Sequence, residues 1–235
     1  MSNSKEKNAA IKEDILTMLD TVKRTGVDDL KKWLLETDFF AAPSSTRFHC
    51  AYEGGLAEHS WNVADLLFKK NEQFNLYYDY DTLAICGLCH DLCKINMYKL
   101  VAEDPTQAQM KYLMSLCNGR LPAVPGKLHK GYVSDLINHY VNKTEKPPEY
   151  TFGEYKVEDQ FPIGHGEKSV VLAQRFIELT DDEAVAIRWH MASFDAGIHF
   201  NFPSGFSYRA ACDKSPLVTL LFTSDAEASA ILERV

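Results

Sequence analysis

The sequence predicts an all-α fold, a helical bundle with room for one small β-hairpin, on three observations. Apolar residues recur at three- and four-residue spacing through most of the chain. Strand-like alternation of β-branched and aromatic residues around a polar turn is confined to one stretch, 150–161. Hydrophobic residues make up 46% of 235, enough for one core, and neither an internal repeat nor a low-complexity linker interrupts them.

The elements follow in order. Ile11, Ile15, Met18, Leu19 and Val22 lie at helical spacing and predict a helix over 10–24, closed by Gly26. A shorter helix over 27–36 carries Leu30, Trp33 and Leu34. Small and turn residues from Ala41 to Cys50 predict a loop. A long helix over 55–70 follows, with Leu56, Val63, Leu66 and Leu67 apolar and His59 on its first turns. Asp81 is a suitable N-cap for a helix over 82–94. Further helices are expected over 106–117, 127–142, 167–179, 181–190 and 216–234. The stretch 193–208 is aromatic and lacks a period, which reads as an irregular loop.

Charge and cysteine usage narrow the function. A formal net charge of −8 disfavours gripping long nucleic acid, which needs clustered Lys and Arg. It leaves room for a small phosphorylated ligand, because bound cations reverse the local field. The polar N-terminus lacks the layout of a signal peptide, and no run approaches the roughly 18 apolar residues of a membrane helix. Six cysteines without small-scaffold spacing fit reduced thiols better than a disulfide framework. The expected location is therefore the cytoplasm, with no membrane partner. Oligomeric state is left open.

The residues able to carry chemistry are histidines and acids that are odd where they stand. His90-Asp91 sits in a largely apolar segment, His190 ends the apolar run Ala184 to Trp189, and Asp225 interrupts the apolar run that begins at Pro216. Aspartate is rarely buried unless paired or bound to metal. Imidazole and carboxylate together suit a divalent metal such as iron, manganese or zinc. Cys86-Gly-Leu-Cys89-His90 also spells the attachment pattern of a c-type haem, and Cys86, Cys89 and Cys93 suggest a zinc cluster. Their spacing on an apolar helix makes buried packing thiols the better reading. His129 and His139 have no acidic companion at ligand spacing and read as structural.

The order His59, His90-Asp91, Asp225 resembles the H…HD…D signature of the HD-domain phosphohydrolase superfamily. Gly54-Gly-Leu-Ala-Glu-His59-Ser resembles the helix start that presents that family's first histidine, and His90-Asp-Leu-Cys-Lys94 is similar to its HDxxK segment. His165 in Gly-His-Gly-Glu-Lys-Ser and His190 in Arg-Trp-His-Met match the extra histidines of the six-ligand branch. The likeness runs from Phe48 to Glu233. It implies a hydrolase domain over 41–235, with 1–40 as a helical extension packed on it.

The resemblance further implies two divalent ions, iron or manganese first, with zinc, magnesium, nickel or cobalt as alternatives. One would take His59, His90, Asp91 and Asp225; the other His165, His190 and the bridging Asp91. A water between them would be the nucleophile. Lys94 would steady charge on a phosphate oxygen. Apart from the resemblance, His49, ahead of the first ligand helix, could contact substrate, ligate or pack, and Lys168, after His165, could reach phosphate or stay solvated. The implied activity is hydrolysis of a small phosphorylated molecule, a nucleotide foremost. The aromatic stretch, with Phe194, Phe200, Phe202, Phe206 and Tyr208, would either wall a base or cap the core.

Departures from the pattern matter. The family's usual glycine before the lysine is Cys93, and the glycine–tyrosine–proline motif of the cyclic-dinucleotide branch is absent. Phe48-His-Cys-Ala-Tyr-Glu-Gly-Gly is similar to the HD portion of certain bacterial exoribonucleases, but no OB-type companion domain accompanies it. A di-iron oxygenase on the same ligands, and a nucleotide-binding regulatory module, stand as alternatives.

Overall fold

A computed structural model describes residues 2–194 and 203–233. In chain order the elements are α1 (Ser2–Thr21), α2 (Val27–Glu36), α3 (Gly55–Phe74), α4 (Tyr80–Cys89), a 3-10 turn (Leu92–Lys94), β1 (Tyr98–Val101), α5 (Gln107–Leu116) and α6 (Lys130–Asn142). Then come β2 (Glu154–Val157), α7 (His165–Ala173), α8 (Asp181–Trp189), a second 3-10 turn (Ala192–Phe194), α9 (Pro203–Lys214), α10 (Pro216–Glu227) and a π-helical turn (Ala228–Leu232). The architecture is all-α with one small two-stranded sheet. Among the described residues no helix is long and apolar enough to cross a membrane.

The chain divides into two compact units, Met1–Tyr98 with Asp159–Val235, and Lys99–Glu158. In the first, α3 packs on α4, α10 and α1, and α8 packs on α4, α7 and α10. Its apolar core draws Ile15 and Leu19 from α1, Leu56, Val63 and Leu67 from α3, Leu83, Ile85 and Leu88 from α4, Ile187 from α8, and Leu217, Val218 and Leu221 from α10. The α3–α4 contact is unusually close because of Gly87. A Cβ there would lie 2.5 Å from Ala64 Cα, so any larger residue would push the two helices apart.

One buried carboxylate helps tie this unit together. Glu183, inaccessible to solvent, accepts from Arg24 Nη2 at 2.5 Å and Nη1 at 3.2 Å, and from Thr82 Oγ1 at 2.9 Å. It also completes a capping box with Thr180 at the start of α8. The segment after α1, α4 and α8 are thereby linked through one side chain.

In the second unit, Leu113 of α5 packs with Tyr132, Val133 and Leu136 of α6. Thr106 caps α5 and His129 caps α6, the His129 ring accepting from Tyr132 N at 3.4 Å. The strand-forming residues around 154 pair with β1, a partner more than fifty residues earlier, rather than with each other across the expected polar turn.

Several boundaries differ from expectation for identifiable reasons. Helix α1 begins at Ser2, not near 10, because tertiary bonds hold its polar first turns. Lys7 pairs with Glu58 at 2.6 Å and Asn8 Nδ2 donates to Glu53 O at 2.9 Å. Asp79, not Asp81, caps α4 by accepting from Thr82 N at 2.8 Å; Asp81 accepts instead from Lys23 N at 3.0 Å. The helix expected to continue to 94 stops at Cys89. Residues 203–208, expected as irregular loop, start α9, where Tyr208 meets the Trp189 ring at 5.9 Å. Phe194 and Phe206 are exposed. His199, Phe200 and Phe202 lie outside the described residues.

Candidate metal centre

The break after Cys89 is what lets neighbouring residues converge. Successive residues of an α-helix point about 100° apart, so a continuous helix could not aim both His90 and Asp91 at one centre. Here His90 is the C-cap of α4, and Asp91 takes φ −110°, ψ 20°, in the sparsely populated bridge region, before the 3-10 turn begins. Helix α8 ends the same way, on His190 followed by a 3-10 turn. Both imidazoles bond the carbonyl three residues back, His90 Nδ1 to Gly87 O at 2.8 Å and His190 Nδ1 to Ile187 O at 2.7 Å. A carbonyl only accepts, so each Nδ1 carries the proton and each Nε2 presents a lone pair.

His59 is set by a different partner with the same result. Glu233 lies with both oxygens 3.0 Å from His59 Nδ1, and Asn62 Nδ2 donates to it at 3.0 Å. The π-helical turn, closed by Glu233 N donating to Ala228 O at 3.0 Å, delivers this acid. An imidazole whose Nδ1–H is held by a carboxylate or carbonyl, leaving Nε2 free, has the arrangement typical of a metal-ligating histidine.

The free nitrogens gather around Asp91, which is 2% exposed. Asp91 Oδ2 lies 3.4 Å from His59 Nε2, 3.5 Å from His90 Nε2 and 2.6 Å from Lys94 Nζ. Its other oxygen, Oδ1, lies 2.8 Å from His165 Nε2 and 3.5 Å from His190 Nε2. Asp225 Oδ1 stands 3.2 Å from His59 Nε2, and the His59 and His90 Nε2 atoms are 3.2 Å apart. His190 Nε2 is buried and, among the described residues, has no hydrogen-bond partner. A buried lone pair without a donor is costly in a purely structural role and is expected of a ligand. Among the described residues, three groupings could hold a metal ion: His59, His90 and Asp91; Asp91, Cys93 and His165; and His49, His59 and Glu233.

The electrostatics are those of a crowded, dehydrated cluster. Burial pushes the His90 pKa down to about 3. Burial also lowers His165, only partly offset by Asp91. His59 goes the other way: burial lowers it, but the carboxylates of Asp225 and Glu233 raise it to about 9. Burial would raise Asp91 and Asp225, yet Lys94 and the neighbouring imidazoles hold Asp91 well below the usual carboxylate range, and His59 does the same for Asp225. Burial pushes the Cys93 thiol up, so without a cation it is no nucleophile.

Of the expected site residues, His59, His90, Asp91, His165, His190, Asp225 and Lys94 come together. Lys94 Nζ also donates to Ser44 Oγ at 3.2 Å, on the loop before α3. That loop holds His49 at its end, where Ser45 Oγ donates to His49 O at 2.7 Å. The His49 ring lies 5.0 Å from that of His59, and its Nε2 is buried with no hydrogen-bond partner among the described residues. Lys168 stands apart, buried and paired with Asp159 at 2.6 Å. Cys86 and Cys89 belong to the apolar core, as packing thiols do. Sequence reasoning missed Glu233, Ser44 and the position of Cys93. An acid in the last residues of a helix carries no signal until its partner is known.

With the geometry in hand, comparison with family models, with curated proteins and with solved structures finds no match.

Proposed function

We propose that this chain is a metal-dependent phosphohydrolase of the HD-domain type, acting on a small phosphorylated substrate, most specifically a nucleotide. The observation that carries the reading is the division of histidines between the two oxygens of one buried carboxylate. His59 and His90 face Asp91 Oδ2, whereas His165 and His190 face Oδ1. A carboxylate with two imidazoles on each oxygen is suited to hold two cations side by side. His59, His90, Asp91 and Asp225 would hold one, and His165, His190 and Asp91 the other. Divalent ions there would supply Lewis acidity toward a phosphoryl oxygen and a water of lowered pKa.

The remaining residues have definable tasks. The Lys94 ammonium, kept charged by Asp91 against its burial, offers a fixed positive charge to a phosphate oxygen. His49, lowered by burial and by His59 and Lys94, is neutral at physiological pH and presents a hydrogen-bonding nitrogen rather than a charge. The net charge of −8 is consistent with a small anion drawn in by local cations rather than a polymer held on the surface.

The test is metal content per chain after anaerobic purification, for the parent and Asp91→Ala, followed by phosphate release from nucleoside mono-, di- and triphosphates. About two ions in the parent, few in the variant, and phosphate release are expected on this reading. About one ion would leave a mononuclear hydrolase and return His165 and His190 to other roles. Oxygen uptake by the ferrous protein without phosphate release would point to an oxygenase. No metal after reconstitution would overturn the mechanism and favour a binding module.

A further inference from the structure

We propose that Cys93 is a metal ligand, which makes the position on the Oδ1 side of Asp91 a sulfur-containing site of His165, His190, Asp91 and Cys93. The inference rests on the metal-centre reading above and concerns what distinguishes this chain within it. Cys93 Sγ lies 3.4 Å from each ring nitrogen of His165 and 3.9 Å from Asp91 Oδ1. Asp91, Cys93 and His165 form one of the groupings with donor atoms close enough to share an ion. Metal–sulfur and metal–nitrogen bonds of about 2.3 and 2.0 Å at a tetrahedral angle place sulfur and nitrogen about 3.5 Å apart. The observed separations are of that size; because Sγ is equidistant from Nδ1 and Nε2 it lies beside the ring rather than along the Nε2 lone pair, so shared coordination turns the His165 ring as the ion enters.

Independent support comes from His190. Its Nε2 is buried, has no hydrogen-bond partner among the described residues, and lies 3.5 Å from the same carboxylate oxygen. Something must satisfy that lone pair, and an ion shared with His165, Asp91 and Cys93 would do so. The other thiols of this segment behave differently. Cys86 and Cys89 are members of the apolar core, whereas Cys93 is buried but outside it. Its backbone is fixed too: Cys93 N donates to Ser169 Oγ at 3.1 Å, which anchors the 3-10 turn to α7, the helix that starts at His165.

Coordination would replace the thiol hydrogen by the metal, with the proton leaving to solvent. A thiolate among the donors selects for zinc, ferrous or cobalt ions over magnesium, which prefers oxygen. It also adds a negative charge on the side of Asp91 that lacks the two extra carboxylates found near His59.

Cobalt(II) loaded into the metal-free full-length chain provides the test, because two spectral regions report separately. Visible d–d bands report that cobalt is bound, and a near-ultraviolet sulfur-to-cobalt band reports a thiolate ligand. The parent is expected to show both, Cys93→Ser and Cys93→Ala only the visible bands, and Cys50→Ser both. Binding of the second cobalt equivalent is expected to weaken by at least about tenfold in the Cys93 variants, a loss that even an outer partner of a ligand can produce. Visible bands without the sulfur band in the parent would overturn the assignment while leaving the metal centre standing, whatever the variants do. Persistence of the sulfur band in Cys93→Ser would overturn it as well. Absence of cobalt bands in every protein would overturn the metal centre itself, and this inference with it.

Discussion

Two buried carboxylates in the first unit, Glu183 and Asp91, have similar burial and opposite character. Glu183 is complete: a guanidinium grips it through two nitrogens, a threonine hydroxyl donates to it, and the Thr180 N–H donates at 2.8 Å. Every neighbour is a donor and no neighbour is left wanting. Asp91 is crowded but incomplete. Four imidazole nitrogens face it, two of the rings press their Nε2 atoms to within 3.2 Å of each other, and His190 Nε2 has no hydrogen-bond partner among the described residues. Buried acids of the first kind tie helices together. Those of the second kind are arranged for a group that brings positive charge of its own.

The sharpest way to break the comparison is to remove Asp91. Asp91→Ala is expected to lower phosphate release by at least about a thousandfold, equivalent to about 4 kcal/mol of transition-state stabilisation. Steady-state turnover beside metal analysis checks it. A variant that keeps its metal and its turnover would put Asp91 in the same class as Glu183.

Removing Arg24 probes the structural carboxylate. Arg24→Ala strands Glu183 in the interior, and the expected cost is about 3 kcal/mol of folding stability, somewhat less than a fully buried pair because the guanidinium is partly exposed. Urea unfolding measures it. Metal content and turnover of the folded fraction are expected to match the parent, which is the reverse of the Asp91→Ala outcome.

A third contrast lies in pH. The metal-free protein holds His59 at about 9 against an ordinary 6.5, so this group contributes stability that is full below 6.5 and is lost as pH rises toward 9. The contribution is at most roughly 3 to 4 kcal/mol, at about 1.4 kcal/mol per unit. His90, lowered to about 3, acts oppositely: the unfolded chain takes up a proton below 6.5 that the folded chain refuses, so stability falls as pH drops from 6.5 toward 3. The metal-free protein is therefore expected to melt highest near pH 6.5 and lower by pH 9. The metal-loaded protein should not show the alkaline loss, because an ion takes the place of the proton on His59 Nε2. Melting curves of both forms across that range decide it.

How much of this was legible beforehand follows from which physical signals are local. Helix existence was, because Ile11, Ile15 and Leu19 repeat at helical period whatever packs on them. The candidate site residues were legible for the converse reason: Asp225 and His190 break apolar runs, and polar residues in such places need partners. What could not be read depends on contacts between distant parts of the chain. The first turns of α1 are polar and stand on Glu58 and Glu53. The stop at Cys89 is set by the geometry of Asp91, and a run such as Ile-Cys-Gly-Leu-Cys-His-Asp-Leu-Cys gives no reason to end there. Glu233 has meaning only beside His59, 174 residues away.

Lys168 offers the smallest and most discriminating comparison, since by sequence it could either reach phosphate or stay solvated, whereas the resemblance placed Lys94 on the phosphate. Both are buried and both are paired with an aspartate at 2.6 Å, but Lys94 holds the central carboxylate and Lys168 holds Asp159. Asp159 is drawn below its usual range chiefly by that lysine, working against a burial that would raise it, and it also accepts from Phe161 N at 2.9 Å. The pair therefore pins the segment leading into α7 rather than reaching the imidazoles. Lys168→Met is expected to cost about 1 kcal/mol of stability, with Asp159 partly exposed and able to hydrate. Its effect on kcat/KM is expected to stay within about threefold, less than about 0.7 kcal/mol, while Lys94→Met loses at least about a hundredfold, or about 2.7 kcal/mol. A hundredfold loss in Lys168→Met with unchanged melting would move Lys168 from the structural pair to the substrate, and the two lysines would then act on the same phosphate.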